Sequence, residues 1–567
     1  MLRRPVLLAL VVIALFGTSL AAQEQAWREA MSAAQQATRR SDVAAAEKFF
    51  QAALREAEKF GASDPRLVTT LNNVAEFYRA QRRFAEASPL YERAVGVLEK
   101  APGEGSSELA TVLNNWGLLF DAQARRDRAA ELFRRSLTIR EKVLGPGHPE
   151  VASTLNNLAE VYRTQRKYAD AEPLYRRALD IREKALGTEH PGVARVLNNL
   201  GALYHDQRRY MEAEPLLKRA LDIREKSLGP QHLDVAASLN SLAELYRMQH
   251  QYTDAEPLFR RALEIRQKTL GPEHPDVAAI LNNIGILYED EARYDQAEPY
   301  LKNSLAMREH VLPAQDARIA ASLTQLAALY QFQGRYAESE PLLRRALGIL
   351  ETGYGKDSFE LSSTLQYLGL ALRFQEKFAE AEPVLQRLLE IRTNALGPEA
   401  GEVRFALNNL AGVYRRMGRF AEAEPLYVRL LALLEKSFET YNPRITEALQ
   451  NLGEVYVGLG KPADAETMLL RALANQEKTL GPKHEAVAIT LSKLIEVDLP
   501  LRKFDEAEAY FQRLLAYKKE IYGAEHPEVV QALENYAALL RKAGRTAHAD
   551  EIETAAKAIR PKLLLNP

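Results

Sequence analysis

Leucine recurs every 42 residues along this chain, at Leu71, Leu113, Leu155, Leu197, Leu239, Leu281, Leu323, Leu365, Leu407, Leu449, Leu491 and Leu533, without a slip of register. Four residues before each leucine stands another aliphatic side chain, from Leu67, Leu109, Val151 and Val193 through Val235, Val277, Ile319 and Leu361 to Val403, Ile445, Val487 and Val529. A fixed period of this kind marks one structural unit repeated, not several unrelated domains. In the most regular copy Val151, Leu155, Leu158 and Tyr162 follow at steps of four, three and four, the apolar stripe of a helix and not the alternation of a strand. A second stripe, Ala171, Tyr175, Ala178 and Leu179, lies beyond a short polar stretch at Gln165 to Lys167. Each copy is therefore predicted to be a helical hairpin, helix A then helix B. One hairpin leaves its stripes half uncovered, so stacking on the next copy is what buries them.

The residues that persist resemble the tetratricopeptide repeat. A small residue in helix A recurs at Ala75, Gly117, Ala159, Gly201, Ala243, Gly285, Ala327, Gly369, Ala411 and Gly453, and an aromatic at Tyr78, Phe120, Tyr162, Tyr204, Tyr246, Tyr288, Tyr330, Tyr414 and Tyr456. The helix B alanine of that family is matched at Ala87, Ala129, Ala171, Ala213, Ala255, Ala297, Ala381, Ala423, Ala465 and Ala507. The usual repeat has about 34 residues; here each copy is longer at the end of helix B and in the loop, as in RALDIREKALGTEHP. LNNLA, YADAEPLYRRALDIREK and LGPEHP together are similar to the 42-residue subclass seen in kinesin light chains. The resemblance covers the chain after about residue 26 and implies an all-α, right-handed superhelical solenoid of about twelve hairpins with helix A lining a concave groove.

Composition narrows the function. Net charge is −1 over 567 residues, so no basic field points to nucleic acid. Cysteine is absent, which excludes disulfides, thiol nucleophiles and cysteine zinc sites. Arg3 and Arg4 precede an apolar run from Val6 to Phe16 that ends in small residues through Ala21 and Ala22. Charged start, short apolar core and small-residue end predict a secretory signal peptide over residues 1–22. The mature protein is then periplasmic or secreted, with no membrane span; the alternative is an uncleaved N-terminal anchor, for which the apolar run is short.

Both ends of the array depart from the pattern. Ala26 to Thr38 and Asp42 to Leu54 predict a degenerate capping hairpin within residues 23–64, followed by the tandem array over 65–526 and a C-terminal capping repeat and tail over 527–567. Asp498 stands where the aromatic belongs, Pro500 follows closely, and Glu553 replaces the helix B aromatic or leucine; polar outer faces are what terminal repeats require. The loops at Ala101 to Ser107 and Pro313 to Ala317 vary only the turns.

No catalytic signature emerges. Gly353-Tyr354-Gly355-Lys356-Asp357 lacks the first glycine and the final hydroxyl residue of a phosphate loop, and neither a nucleophile elbow nor HExxH is present. The sequence predicts no enzyme, cofactor or metal site. Loop histidines recur at His148, His190, His232, His274, His484 and His526, one per copy and so too far apart to share a metal whose ligands sit about 2 Å from it. They are expected to order the turn before helix A, with proline at the helix start. Prolines inside helix B, at Pro89, Pro173, Pro215, Pro257, Pro299, Pro341, Pro383 and Pro425, are expected to bend it by removing a donor.

One polar row suggests ligand chemistry. Projected as a helix, the residues one, five and eight after the repeat leucine share a flank. The first place (+1) holds Asn72, Asn114, Asn156, Asn198, Asn240, Asn282 and Asn408; the last (+8) holds Arg79, Arg163, Arg247, Arg373, Arg415 and Arg541. The resemblance implies that these positions face the groove, where an asparagine ladder similar to those of kinesin light chains and of O-linked N-acetylglucosamine transferase holds peptide main chain. An amide offers donors and an acceptor to a main chain, and guanidinium groups suit carboxylates. The competing reading is hydrogen bonding between repeats, since asparagine is a poor helix former. The row lapses at Thr324, Gln366, Ser492 and Glu534, which places a generic clamp between about residues 72 and 283. The expected function is a non-enzymatic scaffold for an extended or acidic protein segment. Alternatives are an adaptor or regulatory subunit of an enzyme complex and a self-associating assembly scaffold.

Overall fold

The computed structural model describes residues 3–40, 42–100 and 106–563, with side chains from residue 21 to residue 559. Among these residues every regular element is helical and no strand is present. The repeats are numbered 1 to 12 by the leucines above. In repeat 3, helix A spans Pro149–Thr164 and helix B Tyr168–Leu186, and the other repeats follow this plan. A leading hairpin, Arg3–Arg39 and Val43–Glu58, precedes repeat 1. Its first helix extends further toward the N-terminus than the degenerate hairpin expected from Ala26. The expected signal peptide lies mostly outside the described side chains, and the variant turn at Ala101 to Ser107 lies largely outside the described residues. Among the described residues no helix is long and apolar enough to cross a membrane.

The hairpin is set by local chemistry at three points. Helix A begins with a cap in which the His148 Nδ1 accepts from the Glu150 N–H at 3.2 Å, with Pro149 as the first helical residue. His190, His232, His274, His484 and His526 do the same, and Asp64, Asp316 and Asn442 substitute for them in repeats 1, 7 and 10. The helix ends in a one-residue left-handed turn, where Arg166 at φ 59° lets the Lys167 N–H reach back to the Tyr162 carbonyl at 2.8 Å, satisfying a carbonyl the helix end would leave bare. Helix B ends at Gly187, with φ 85° and ψ 157°, a conformation essentially restricted to glycine. Between these ends helix B runs unbroken through Pro173, although proline supplies no N–H to the carbonyl one turn before it.

All twelve repeat leucines are buried. Helix B contributes the largest fully buried side chains, including Tyr91, Phe133, Tyr175, Phe259, Tyr427 and Phe511. The expected helix A aromatic is less uniform: Tyr204 and Tyr288 are buried, whereas Tyr162 and Tyr246 are only half-buried. Core packing alternates between repeats. Ala75 and Ala159 stand where Gly117, Gly201 and Gly285 stand in the even copies. A Cβ on those glycines would lie 2.7, 2.7 and 2.6 Å from Phe133, Leu217 and Leu301. Odd and even repeats thus solve the same contact differently, and the repeating unit is a pair.

The chain divides into two compact units, residues 1–307 and 308–567. Within each, helices pack on their sequence neighbours, as a stacked array requires. In the first unit the A helices of repeats 1 to 6 also touch one another in succession; in the second those of repeats 7 to 10 do. Successive B helices make no comparable contact among the described residues. Helix A therefore lines the tighter side of each unit.

Candidate functional site

The asparagine row is a hydrogen-bonded ladder between repeats. Asn115 Nδ2 donates to Asn72 Oδ1 at 3.0 Å, Asn157 to Asn114 at 3.1 Å, Asn199 to Asn156 at 3.0 Å and Asn283 to Asn240 at 2.8 Å. In each case the second asparagine of an LNN triplet clips onto the first asparagine of the preceding triplet. The rung between repeats 4 and 5 is missing because Ser241 occupies the donor position and instead bonds its own helix at Ala237. The Asn198 Oδ1 is accordingly buried without a partner among the described residues, as is the Asn282 Oδ1. Asn114 is 8% and Asn156 4% exposed, so at these positions the amides do not stand free on the flank that the projection outlines but turn toward the next repeat. Asn408 is half-buried and lines a cavity of about 310 Å³ with Arg404, Phe405 and Arg444.

The arginine row is internally paired. Arg163 forms a forked pair with Glu160, at 2.6 and 3.0 Å, and reaches Asp206 of repeat 4. Tyr175 from helix B donates to the same Glu160 at 2.6 Å. Burial pushes the Glu160 carboxyl up, but Arg163 and Tyr175 outweigh it and hold it below its ordinary range. For Arg163 burial acts downward and is outweighed by its two carboxylates, so its pKa is raised. Burial and the facing carboxylate push the Tyr175 hydroxyl up. Arg247 repeats the arrangement with Glu244 and Asp290, and Arg79 pairs with Glu76 at 2.8 Å. Arg373 donates to Asn409 at 2.7 Å, and Arg415 pairs with Glu454. Arg541 meets Asp550 and Glu553 in the last hairpin.

A second arginine series escaped the sequence reading. From helix B, Arg140 donates to the Glu150 carbonyl at 3.0 Å, Arg224 to that of Asp234 at 3.0 Å and Arg308 to that of Arg318 at 2.8 Å. Arg182 reaches the Gly192 carbonyl at 3.1 Å and Ser153 Oγ at 3.0 Å, and burial, with Arg195 nearby, pulls its pKa down to about 10. These side chains tie the extended end of helix B to the start of the next helix A. The signal was in IREK, where an arginine recurs on a face otherwise apolar.

Chemically, the helix A surface offers amides and neutralised charge pairs, not an acid–base or nucleophilic arrangement. Among the described residues no cluster of three side chains suited to a metal is present; the loop histidines serve as caps. Comparison with curated proteins gives no match. Among solved structures, BtubC (BKLC) from P. vanneervenii is 25% identical over 44% of this chain and 93% of its own, with a TM-score of 0.34. A putative kinesin light chain with nearly identical TPR-like repeats, from Podosopora anserina, is 27% identical over 36% of this chain and 97% of its own, with a TM-score of 0.31. A Rap protein complexed with competence and sporulation factor is 14% identical over 65% and 98%, with a TM-score of 0.45. The family model for the tetratricopeptide repeat matches residues 26–100, 66–142, 108–184, 150–226, 192–268, 234–310, 318–394, 402–478 and 486–562, each match spanning two hairpins. With helical hairpins, period and family matches in agreement from residue 26 to residue 562, the chain belongs to the tetratricopeptide repeat family.

Proposed function

We propose that the chain is a non-enzymatic scaffold that holds an extended protein segment against the helix A side of its first unit. The observation that supports this most is the ladder itself. Each rung uses the carbonyl of the +1 amide for the neighbouring repeat and so fixes its orientation. At the half-buried Asn72, Asn198 and Asn240 an Nδ2 donor is left to meet a main-chain carbonyl, regardless of the segment's sequence, whereas Asn156 is buried and Asn114 already donates to Asn115 at 3.4 Å. Recognition of acidic groups is a weaker part of the reading than the sequence suggested, because an incoming carboxylate competes with Glu160 and Asp206 for Arg163. Export to the periplasm or cell exterior belongs to the same proposal.

The test is a binding measurement with partners recovered by the mature protein from a periplasmic or secreted extract. Replacing Asn156, Asn198 and Asn240 by Ala removes the buried Asn156 rung and two half-buried donors, at Asn198 and Asn240, worth about 0.5 to 1.5 kcal/mol each, which predicts roughly fivefold to hundredfold weaker binding with little dependence on salt. The control is Asn199→Ala with Asn283→Ala, which breaks two of the same rungs but keeps the +1 donors. Equal losses in both variants, or normal binding by the triple variant, would show that the ladder is only a clip between repeats.

A further inference from the structure

In the second unit the edge of the helix A surface is built from rings. Tyr336, the first residue of helix B in repeat 7, stacks on Phe374 of repeat 8 at 4.7 Å. Phe378 in the same place of repeat 8 faces Arg416 at 5.9 Å. Phe420 in repeat 9 covers Gly458 so closely that a Cβ there would lie 2.4 Å from the ring. At each of these joints the first residue of helix B closes against the end of the next helix A.

The joint between repeats 10 and 11 is built differently. Helix B of repeat 10, Pro462–Leu480, begins with a proline where those of repeats 7 to 9 carry a ring. Helix A of repeat 11, Glu485–Asp498, has 14 residues against 16 in repeat 10, and Pro500 follows its early end, where proline cannot continue the hydrogen-bond ladder. The ring and its receiving turn are both missing. In their place is a cavity of about 500 Å³ walled by Val457, Pro462, Leu469, Val497 and Pro500, a volume typical of ligand sites. Val457 occupies the +8 position that holds arginine in repeats 8 and 9 and is 52% exposed. An exposed aliphatic side chain at the mouth of a cavity with a largely aliphatic lining is the kind of wall that receives an apolar or aromatic group.

Charge at the rim discriminates among occupants. Glu454 is shared between Arg415 and Lys493, whereas Glu496, also on the rim, is exposed and has no ion pair among the described residues. The rim therefore favours a cation beside the apolar anchor. We propose that this cavity is a socket for an aromatic side chain of a protein partner, presented next to a lysine or arginine: the partner supplies the ring that repeat 10 lacks. The assignment deepens the protein-binding reading but is independent of the amide ladder, which lies in the other unit.

A displayed random heptapeptide library selected on the immobilised full-length chain tests it. The expected result is enrichment of an aromatic residue adjacent to Lys or Arg. Pro462→Tyr restores the residue type used at this joint in repeat 7 and fills the socket from within; it should weaken the selected peptides at least tenfold. Glu496→Lys alters only an exposed charge and should turn the neighbour preference from basic to acidic, which keeps the test decisive even if Pro462→Tyr disturbs the hairpin. Absence of aromatic enrichment, or enrichment unchanged in both variants, overturns the socket. So does a concentration-dependent dimer abolished by Pro462→Tyr, which would assign the cavity to a second copy of the chain. The Asn156, Asn198 and Asn240 triple variant should retain the socket-selected peptides, so failure of the ladder and failure of the socket are told apart.

Discussion

Asp498→Asn should stabilise the end of the array at neutral pH and leave it unchanged in acid. In repeats 4, 6 and 9 the corresponding tyrosines donate to a glutamate of the preceding helix B, Tyr204 to Glu172 at 2.8 Å, Tyr288 to Glu256 at 2.9 Å and Tyr414 to Glu382 at 3.1 Å. An arginine lies over each ring, at 4.2, 4.4 and 4.6 Å. In repeat 11 the ring is replaced by Asp498, which is 0% exposed, and neither carboxyl oxygen has a hydrogen-bond partner among the described residues. The equivalent glutamate, Glu466, instead binds Lys503 at 2.5 Å. Burial first, and then the like charges of Glu466 and Glu506, push the Asp498 carboxyl from 3.8 to about 6, with Lys503 pulling the other way. The folded state thus holds the proton more tightly than the unfolded chain. Below the unfolded pKa both are protonated and no ionisation penalty arises; that penalty grows as pH rises through the window and is complete above about 6. At 1.36 kcal/mol per pH unit the ceiling is about 3 kcal/mol. Because repeats unfold locally, the assay is hydrogen exchange over residues 485–522, variant against wild type at each pH. A gain of up to about 3 kcal/mol at pH about 7.5 that vanishes near pH about 4 is expected. An equal gain at both values, or none at neutral pH, would refute the electrostatic account.

Other consequences are open to direct measurement. Gly201→Ala places a Cβ 2.7 Å from Leu217 and should cost about 1 to 3 kcal/mol by overpacking; a neutral result in local hydrogen exchange would mean the joint yields more easily than its geometry implies. Arg182→Ala removes bonds to the Gly192 carbonyl and Ser153, so exchange protection at the start of helix A in repeat 4 should fall by about 1.5 to 3 kcal/mol, while the distant repeats stay protected. N-terminal sequencing of exported protein should begin at Ala22 or Gln23; recovery of an intact Arg3-Arg4 segment would favour an anchor.

The hairpins were legible because their signal is repeated: the leucine period marks the core, and the histidine-proline pairs mark helix starts that the structure realises as caps. Side-chain partners were less legible, for a physical reason. A helical projection places Asn156 and Arg163 on one flank, but it cannot say which part of that flank the next repeat covers. The second asparagine of LNN, the donor of each rung, lies one residue further around the helix, off the flank that the projection outlines. Asp206 is far from Arg163 in the chain, so their pairing depends on how neighbouring hairpins are offset. The Ala–Gly alternation was present in the sequence from Ala75 to Gly453, yet its meaning needs the opposing Phe133 or Leu217.

That alternation limits how the molecule can be shortened or lengthened. Arg163 and Arg247, in repeats 3 and 5, find Asp206 and Asp290 in repeats 4 and 6. Excising repeat 4 alone would bring Arg163 against Met248 in the place of Asp206, with a half-buried guanidinium short of one counter-charge. Excising repeats 4 and 5 together restores an aspartate there, Asp290. Recombination in this region should therefore tolerate steps of 84 residues, twice the 42-residue period, and reject single ones, so that its heritable module is a duplex of hairpins.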